Sequence, residues 1–102
     1  PILMPRFDVY RSAYGADLLL DCQSDLLRDL NTRFVVPLRL LADAPPPARR
    51  LNPVFEIEGR SYVMLTQFAA AIPQRDCGPV VASLAPSDIA VTNALDMLIS
   101  GY

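Results

Sequence analysis

Pro53-Val54-Phe55-Glu56-Ile57-Glu58-Gly59-Arg60-Ser61-Tyr62-Val63-Met64-Leu65 decides the fold class. Two runs of aliphatic and aromatic residues flank a short polar segment containing a glycine, the pattern of a β-hairpin. Strand alternation places Phe55 and Ile57 on a core face and Glu56 and Glu58 on a solvated one. Downstream, Phe68 to Ile72 fits either a strand or a helical turn, and Pro73 ends it. Val80 to Leu84 reads as another short strand.

Upstream, Pro45-Pro46-Pro47 is a stiff, extended surface loop. Arg33 to Leu41 is rich in β-formers but contains Pro37, which donates nothing to a ladder. An edge strand or a bulge is therefore expected there. Phe7 to Tyr10 alternates in the strand period, Arg11 to Ala16 reads as a turn, and Leu18 to Cys22 returns as a strand buried on both faces.

The period changes near the C-terminus. Pro86-Ser87-Asp88 has the chemistry of a helix start, with Ser87 or Asp88 as cap. Ile89, Val91, Leu95, Leu98 and Ile99 are expected to form the apolar face, opposite Asp88, Thr92, Asn93 and Asp96. Gly101 is placed to end the helix in the left-handed conformation. The whole is mainly β, with one C-terminal α-helix.

A length of 102 residues fits a single domain spanning 1–102, and a hydrophobic fraction of 52 % exceeds what one small core absorbs. The surplus predicts a subunit interface and hence a homodimer. Residues 1–3, which precede Met4, are read as an extension and set aside. Nine basic residues, all Arg, against eleven acidic ones give a net charge of −2. That balance lacks the basic footprint of a phosphate-backbone binder, so no direct nucleic-acid binding is expected.

Cys22 and Cys77 read as two buried or half-buried thiols of a reducing compartment. No apolar run reaches the ~20 residues of a membrane span, and no secretory signal pattern is visible, so a cytoplasmic protein is expected. The sequence contains no His, which removes the commonest general base and metal ligand. Its four glycines are isolated, so no phosphate-binding loop is present. No cofactor, metal site or catalytic group is expected. Asp21 and Asp25 read as residues satisfying a turn rather than as an acid–base pair. Glu56 with Glu58, and Arg49 with Arg50, read as surface charge.

The segments Phe7-Asp8-Val9-Tyr10, Leu20-Asp21-Cys22-Gln23-Ser24-Asp25-Leu26-Leu27 and Phe34-Val35-Val36-Pro37-Leu38 resemble the CcdB family of toxins, as do Leu51-Asn52-Pro53-Val54-Phe55-Glu56-Ile57 and Asn93-Ala94-Leu95 with Gly101. The resemblance runs through nearly the whole chain from Met4. It implies a small SH3-like, CcdB-type antiparallel β-barrel with a C-terminal helix, forming a homodimer. It further implies a toxin of a type II toxin–antitoxin system that binds the A subunit of DNA gyrase and traps its cleaved-DNA complex. A cognate CcdA-like antitoxin would neutralise it.

Carried over by position, the gyrase-facing residues are Leu26, Leu27, Asp96, Ile99, Ser100, Gly101 and Tyr102. Arg11, Ser12 and Tyr14 are the corresponding antitoxin-facing residues. The chain departs from the family pattern in having Ser100 where a Trp usually precedes the tail glycine, and an aromatic Tyr102 at the end. Its first hairpin loop is also shorter and less basic. Two alternatives share the fold: a relative that binds only its antitoxin, and an endoribonuclease of the MazF type with Arg33 beside Thr32 in a basic groove.

Overall fold

The computed structural model describes residues 6–101. Residues 1–5 and Tyr102, the last of the expected tail residues, lie outside them. Seven strands form one antiparallel sheet: β1 (Asp8–Ser12), β2 (Leu18–Asp21), β3 (Thr32–Leu40), β4 (Val54–Ile57), β5 (Arg60–Met64), β6 (Ala70–Pro73) and β7 (Cys77–Ser83). The order is β4-β5-β3-β2-β1-β7, with β6 also paired to β3. Among the described residues one α-helix, α1 (Asp88–Ser100), follows. The sheet is curled into a half-barrel. Arg11 of β1 reaches Glu58, at the turn between β4 and β5, at 3.5 Å across the curl.

The deciding hairpin forms as read. Glu58 and Gly59, both with positive φ (53° and 77°), make the two-residue turn whose twist matches its strands. Phe55 and Ile57 are buried while Glu56 and Glu58 are exposed. The first hairpin also forms, β1 pairing with β2 through Val9–Leu20, Tyr10–Leu19 and Arg11–Leu18. β1 runs on to Ser12, so the turn begins later than the sequence suggests. Every residue of β2 is buried.

Pro37 is the main correction. It lies in β3, a central strand bonded to β2 on one side and to β5 and β6 on the other. β6 covers Thr32 to Val35 and β5 covers Leu38 to Leu40, leaving Pro37 at the junction between them. Its carbonyl accepts from the Leu65 N–H at 2.9 Å, so its nitrogen faces the same junction, and the proline forgoes only the reciprocal bond at the end of the β3–β5 ladder, where β5 has already ended at Met64. Leu41, expected at the end of this strand, belongs instead to a 3-10 turn, Leu41–Asp43.

The ambiguous stretch after β5 is both things in succession, a 3-10 turn (Thr66–Phe68) and then β6. Alternation along the strands gives the sheet two buried faces. One carries Val9, Leu18, Leu20, Val36, Leu38, Ile57 and Met64, and is covered by Val91 and Ala94 of α1. The other is a smaller cluster of Tyr10, Leu19 and Val35, flanked by Ile72 and Cys77. Cys22 belongs to the first face and Cys77 lies against the second, and both are free thiols.

The helix begins through a 3-10 turn, Ala85–Ser87, and Ser87 occupies the cap position without a side-chain capping bond. Its apolar face is narrower than expected. Val91 and Ala94 are buried and Leu95 packs against the core, but Ile89 and Ile99 are 73 % and 76 % exposed and Leu98 is exposed as well. Ile89 lies on the far side of the helix from Val91, whereas Ile99, at i+8 from Val91, lies at the edge of the stripe in the last turn, where Leu98 is exposed too.

Candidate functional site

After β2 the chain leaves the sheet and makes one 3-10 turn, Asp25–Leu27. Ser24 caps it, its Oγ accepting from the Leu26 N–H at 3.2 Å. The Leu27 N–H donates to the Ser24 carbonyl at 2.9 Å, and the Arg28 guanidinium donates to the Asp25 carbonyl at 3.2 Å. A turn this short has no buried side of its own. Leu26 and Leu27 therefore protrude, 89 % and 50 % exposed. These two expected site residues come together as one aliphatic knob.

Asp96, Ile99 and Ser100 are spaced i, i+3, i+4 and share an exposed side of the last turns of α1. Gly101 ends the helix with φ 78°, and its N–H donates to the Met97 carbonyl at 3.1 Å. A side chain at that φ would be strained, so glycine fixes where the tail departs. This group and the Leu26–Leu27 knob lie on separate elements.

Of the residues expected to face an antitoxin, Arg11 and Ser12 end β1 and Tyr14 lies in the turn that follows. Ser12 Oγ accepts from the Tyr14 N–H at 3.1 Å, and Tyr14 is 81 % exposed. Arg11 and Ser12 are adjacent strand residues and so point to opposite faces, with Arg11 turned towards Glu58.

On the smaller buried face, where β2 ends and the chain leaves for the Asp25–Leu27 turn, lies a polar group that sequence reasoning missed. Asp21 and Arg33 are buried almost completely. Arg33 donates to Asp21 Oδ2 through Nε, at 3.0 Å, and through Nη2. Asp21 Oδ1 accepts from the Gln23 N–H at 3.0 Å. The β2–β3 register sets Asp21 opposite Val35, and so diagonal to Arg33. Arg33 is thus not the cation of an open groove, and the role offered to it as a ribonuclease residue fails on burial and pairing. Asp21 is not a simple turn residue either.

The same cluster perturbs its neighbours. Burial first, then the Asp21 and Asp25 charges, raises the Asp8 carboxyl above its ordinary value. Burial and the Asp21 and Asp8 charges push the Tyr10 phenol up to about 12. Burial does the same to the Cys22 thiol, also to about 12, with Asp21 adding to it. A thiol so placed is a poor nucleophile.

Two shallow depressions of about 300 and 380 Å³ flank Leu40, one lined by Asp17, Arg39 and Asp43, the other by Leu41, Arg60 and Ser61. Neither is lined by the candidate residues. Among the described residues, no three His, Cys, Asp or Glu side chains converge as metal ligands, and no helix is long and apolar enough to cross a membrane.

A half-barrel with one C-terminal helix, bearing protruding aliphatic residues on an ordered turn and on the helix end, defines a small β domain that presents apolar side chains to a partner surface. A family model described as CcdB protein matches residues 6–101. The chain belongs to the CcdB family, toxins of toxin–antitoxin systems of the gyrase-poison kind.

Proposed function

We propose that the chain is a non-enzymatic toxin that binds the A subunit of DNA gyrase and holds the enzyme on cleaved DNA. The observation that carries this reading is the exposure of Leu26 and Ile99, 89 % and 76 %, on backbone that is hydrogen-bonded in place. Aliphatic side chains carried on backbone that is already ordered spare a partner the entropy of ordering that backbone, and each gains transfer energy when covered. Asp96, Ser100 and Gly101 form the tail part of the surface, and Tyr102, outside the described residues, is assigned to gyrase binding by its place in the sequence alone. With Ser100 in place of an aromatic anchor, more of the binding falls on Leu26, Leu27 and Ile99.

The chain acts as a homodimer and is neutralised by a CcdA-like antitoxin that contacts Arg11, Ser12 and Tyr14. Its place of action is the bacterial cytoplasm, where gyrase works. Purified protein added to gyrase and plasmid DNA is expected to accumulate the cleaved complex. A Leu26→Ala/Leu27→Ala variant should lose this effect, with the affinity for the A subunit falling about a hundred-fold or more. Unchanged supercoiling by wild-type protein, with no binding to the A subunit, refutes the reading.

A further inference from the structure

The turn that carries Leu26 and Leu27 is bonded within itself, but little fixes it against the sheet. Its leucines are exposed, it is only three residues long, and hydrophobic packing does not fix its angle to the sheet. Gln23 supplies what is missing. Its side chain is buried, with Oε1 accepting from the Phe34 N–H at 2.9 Å and Nε2 donating to the Leu27 carbonyl at 2.9 Å.

The first of these bonds replaces a rung of the sheet. The Cys22 N–H donates to the Phe34 carbonyl at 2.9 Å, the last backbone bond of that pair. In an antiparallel hydrogen-bonded pair the reciprocal acceptor would be the Cys22 carbonyl. Here the Phe34 N–H turns instead to the Gln23 side chain. The side chain continues the ladder while the main chain departs. Through Nε2 the same amide fixes the end of the turn. Behind it, Asp21 holds the Gln23 main-chain N–H and is itself held by Arg33.

We propose that Gln23 is a positioning residue for target binding: its amide clamps the Leu26–Leu27 knob to β3 at the angle that gyrase receives. This rests on the gyrase reading given above. The role requires a donor and an acceptor on one side chain. Gln has both, Glu keeps only the acceptor in its ionised form, and Met keeps the shape with neither strong group.

The test uses the full chain with Gln23→Met and Gln23→Glu, alone and in the Leu26→Ala/Leu27→Ala background, and titrates each against the gyrase A subunit. Amide exchange is followed at Leu26, Leu27, Arg28 and Leu30, with Val54–Met64 as internal reference. Gln23→Met is expected to weaken binding about ten-fold in the wild-type background and less than about two-fold where both leucines are already Ala. Exchange should quicken in the turn and stay unchanged in the reference hairpin. Equal losses in both backgrounds, or unchanged affinity, overturn the proposal.

Should Gln23→Met fail to fold, Gln23→Glu carries the same comparison, since it keeps the bond to Phe34 and loses the one to Leu27. If wild-type protein binds no A subunit, the gyrase reading falls by itself. The clamp is then judged on exchange alone: protection lost only in the turn supports it, and protection unchanged overturns it.

Discussion

The two buried faces of the sheet use the same strands in different ways. Under α1 the face is apolar, with Val9, Leu20, Val36, Leu38 and Met64 fully buried. On the other face Tyr10, Leu19 and Val35 share the space with a buried ion pair, Asp21–Arg33. Hydrophobic burial is strong but without direction, so it sets how the sheet and helix stack and little else. Charge-assisted hydrogen bonds have direction, and here they lie where the chain leaves β2 for the knob. Most of the apolar burial thus lies on one face, and the directed bonds at the exit to the Leu26–Leu27 turn lie on the other.

Arg33→Ala is expected to break this comparison most severely. It leaves Asp21 charged, buried and without its cation, at a cost of about 3–5 kcal/mol. That is a large part of the roughly 5–15 kcal/mol that holds a domain of this kind together. Replacing both partners at once, Asp21→Leu with Arg33→Met, should recover much of the loss, because no isolated charge remains. Urea unfolding at one fixed protein concentration measures both, the concentration mattering for any chain that self-associates. If the double variant is as unstable as the single one, the face contributes packing rather than ionic pairing.

Leu20→Ala probes the face under the helix and is expected to cost about 3 kcal/mol, from lost transfer energy and the cavity left behind. The sharper expectation concerns what survives. A cavity under the helix weakens the whole fold but leaves the Gln23 bonds in place, so amide protection in the Asp25–Leu27 turn should fall only in step with global stability. Selective loss of protection in that turn would mean that the two faces do not divide the work as described.

How far the sequence reached follows from the same contrast. The β4–β5 hairpin, the β1–β2 hairpin and the helix ending at Gly101 were legible because local pattern and turn chemistry determine them. Pro37 was misread because its tolerance depends on β5 and β6 meeting beside it, a fact of register and not of β3 itself. The exposed knob was legible as a position through family resemblance, but its support was not. A signal did exist. Asp21 lies inside a run read as buried on both faces, and a carboxylate there demands a cation. Arg33, opening the apolar run of the paired strand, was the residue to match. Gln23 gave no such sign, since its bonds run to main-chain groups whose positions only the fold defines.

The smallest effect expected is also the most specific to the second face. The hydroxyl of Tyr10 is buried and has no hydrogen-bond partner among the described residues. Tyr10→Phe should therefore leave stability near neutral pH unchanged or slightly raised, since it removes a polar group that gains nothing inside. The alkaline range distinguishes the two proteins. The Tyr10 phenol is pushed up to about 12 from its ordinary value of 10.0, so folding favours its protonated form. Its contribution is fully present below the unfolded value and is lost as pH rises through the folded one. Wild-type stability should thus fall between about pH 10 and 12 more steeply than that of Tyr10→Phe. An absorbance titration of Tyr10→Phe should also lack the component ionising near 12. If that component persists, Tyr10 is better solvated than its burial beside Asp21 and Asp8 implies, and the second face is wetter than the first by more than its ion pair.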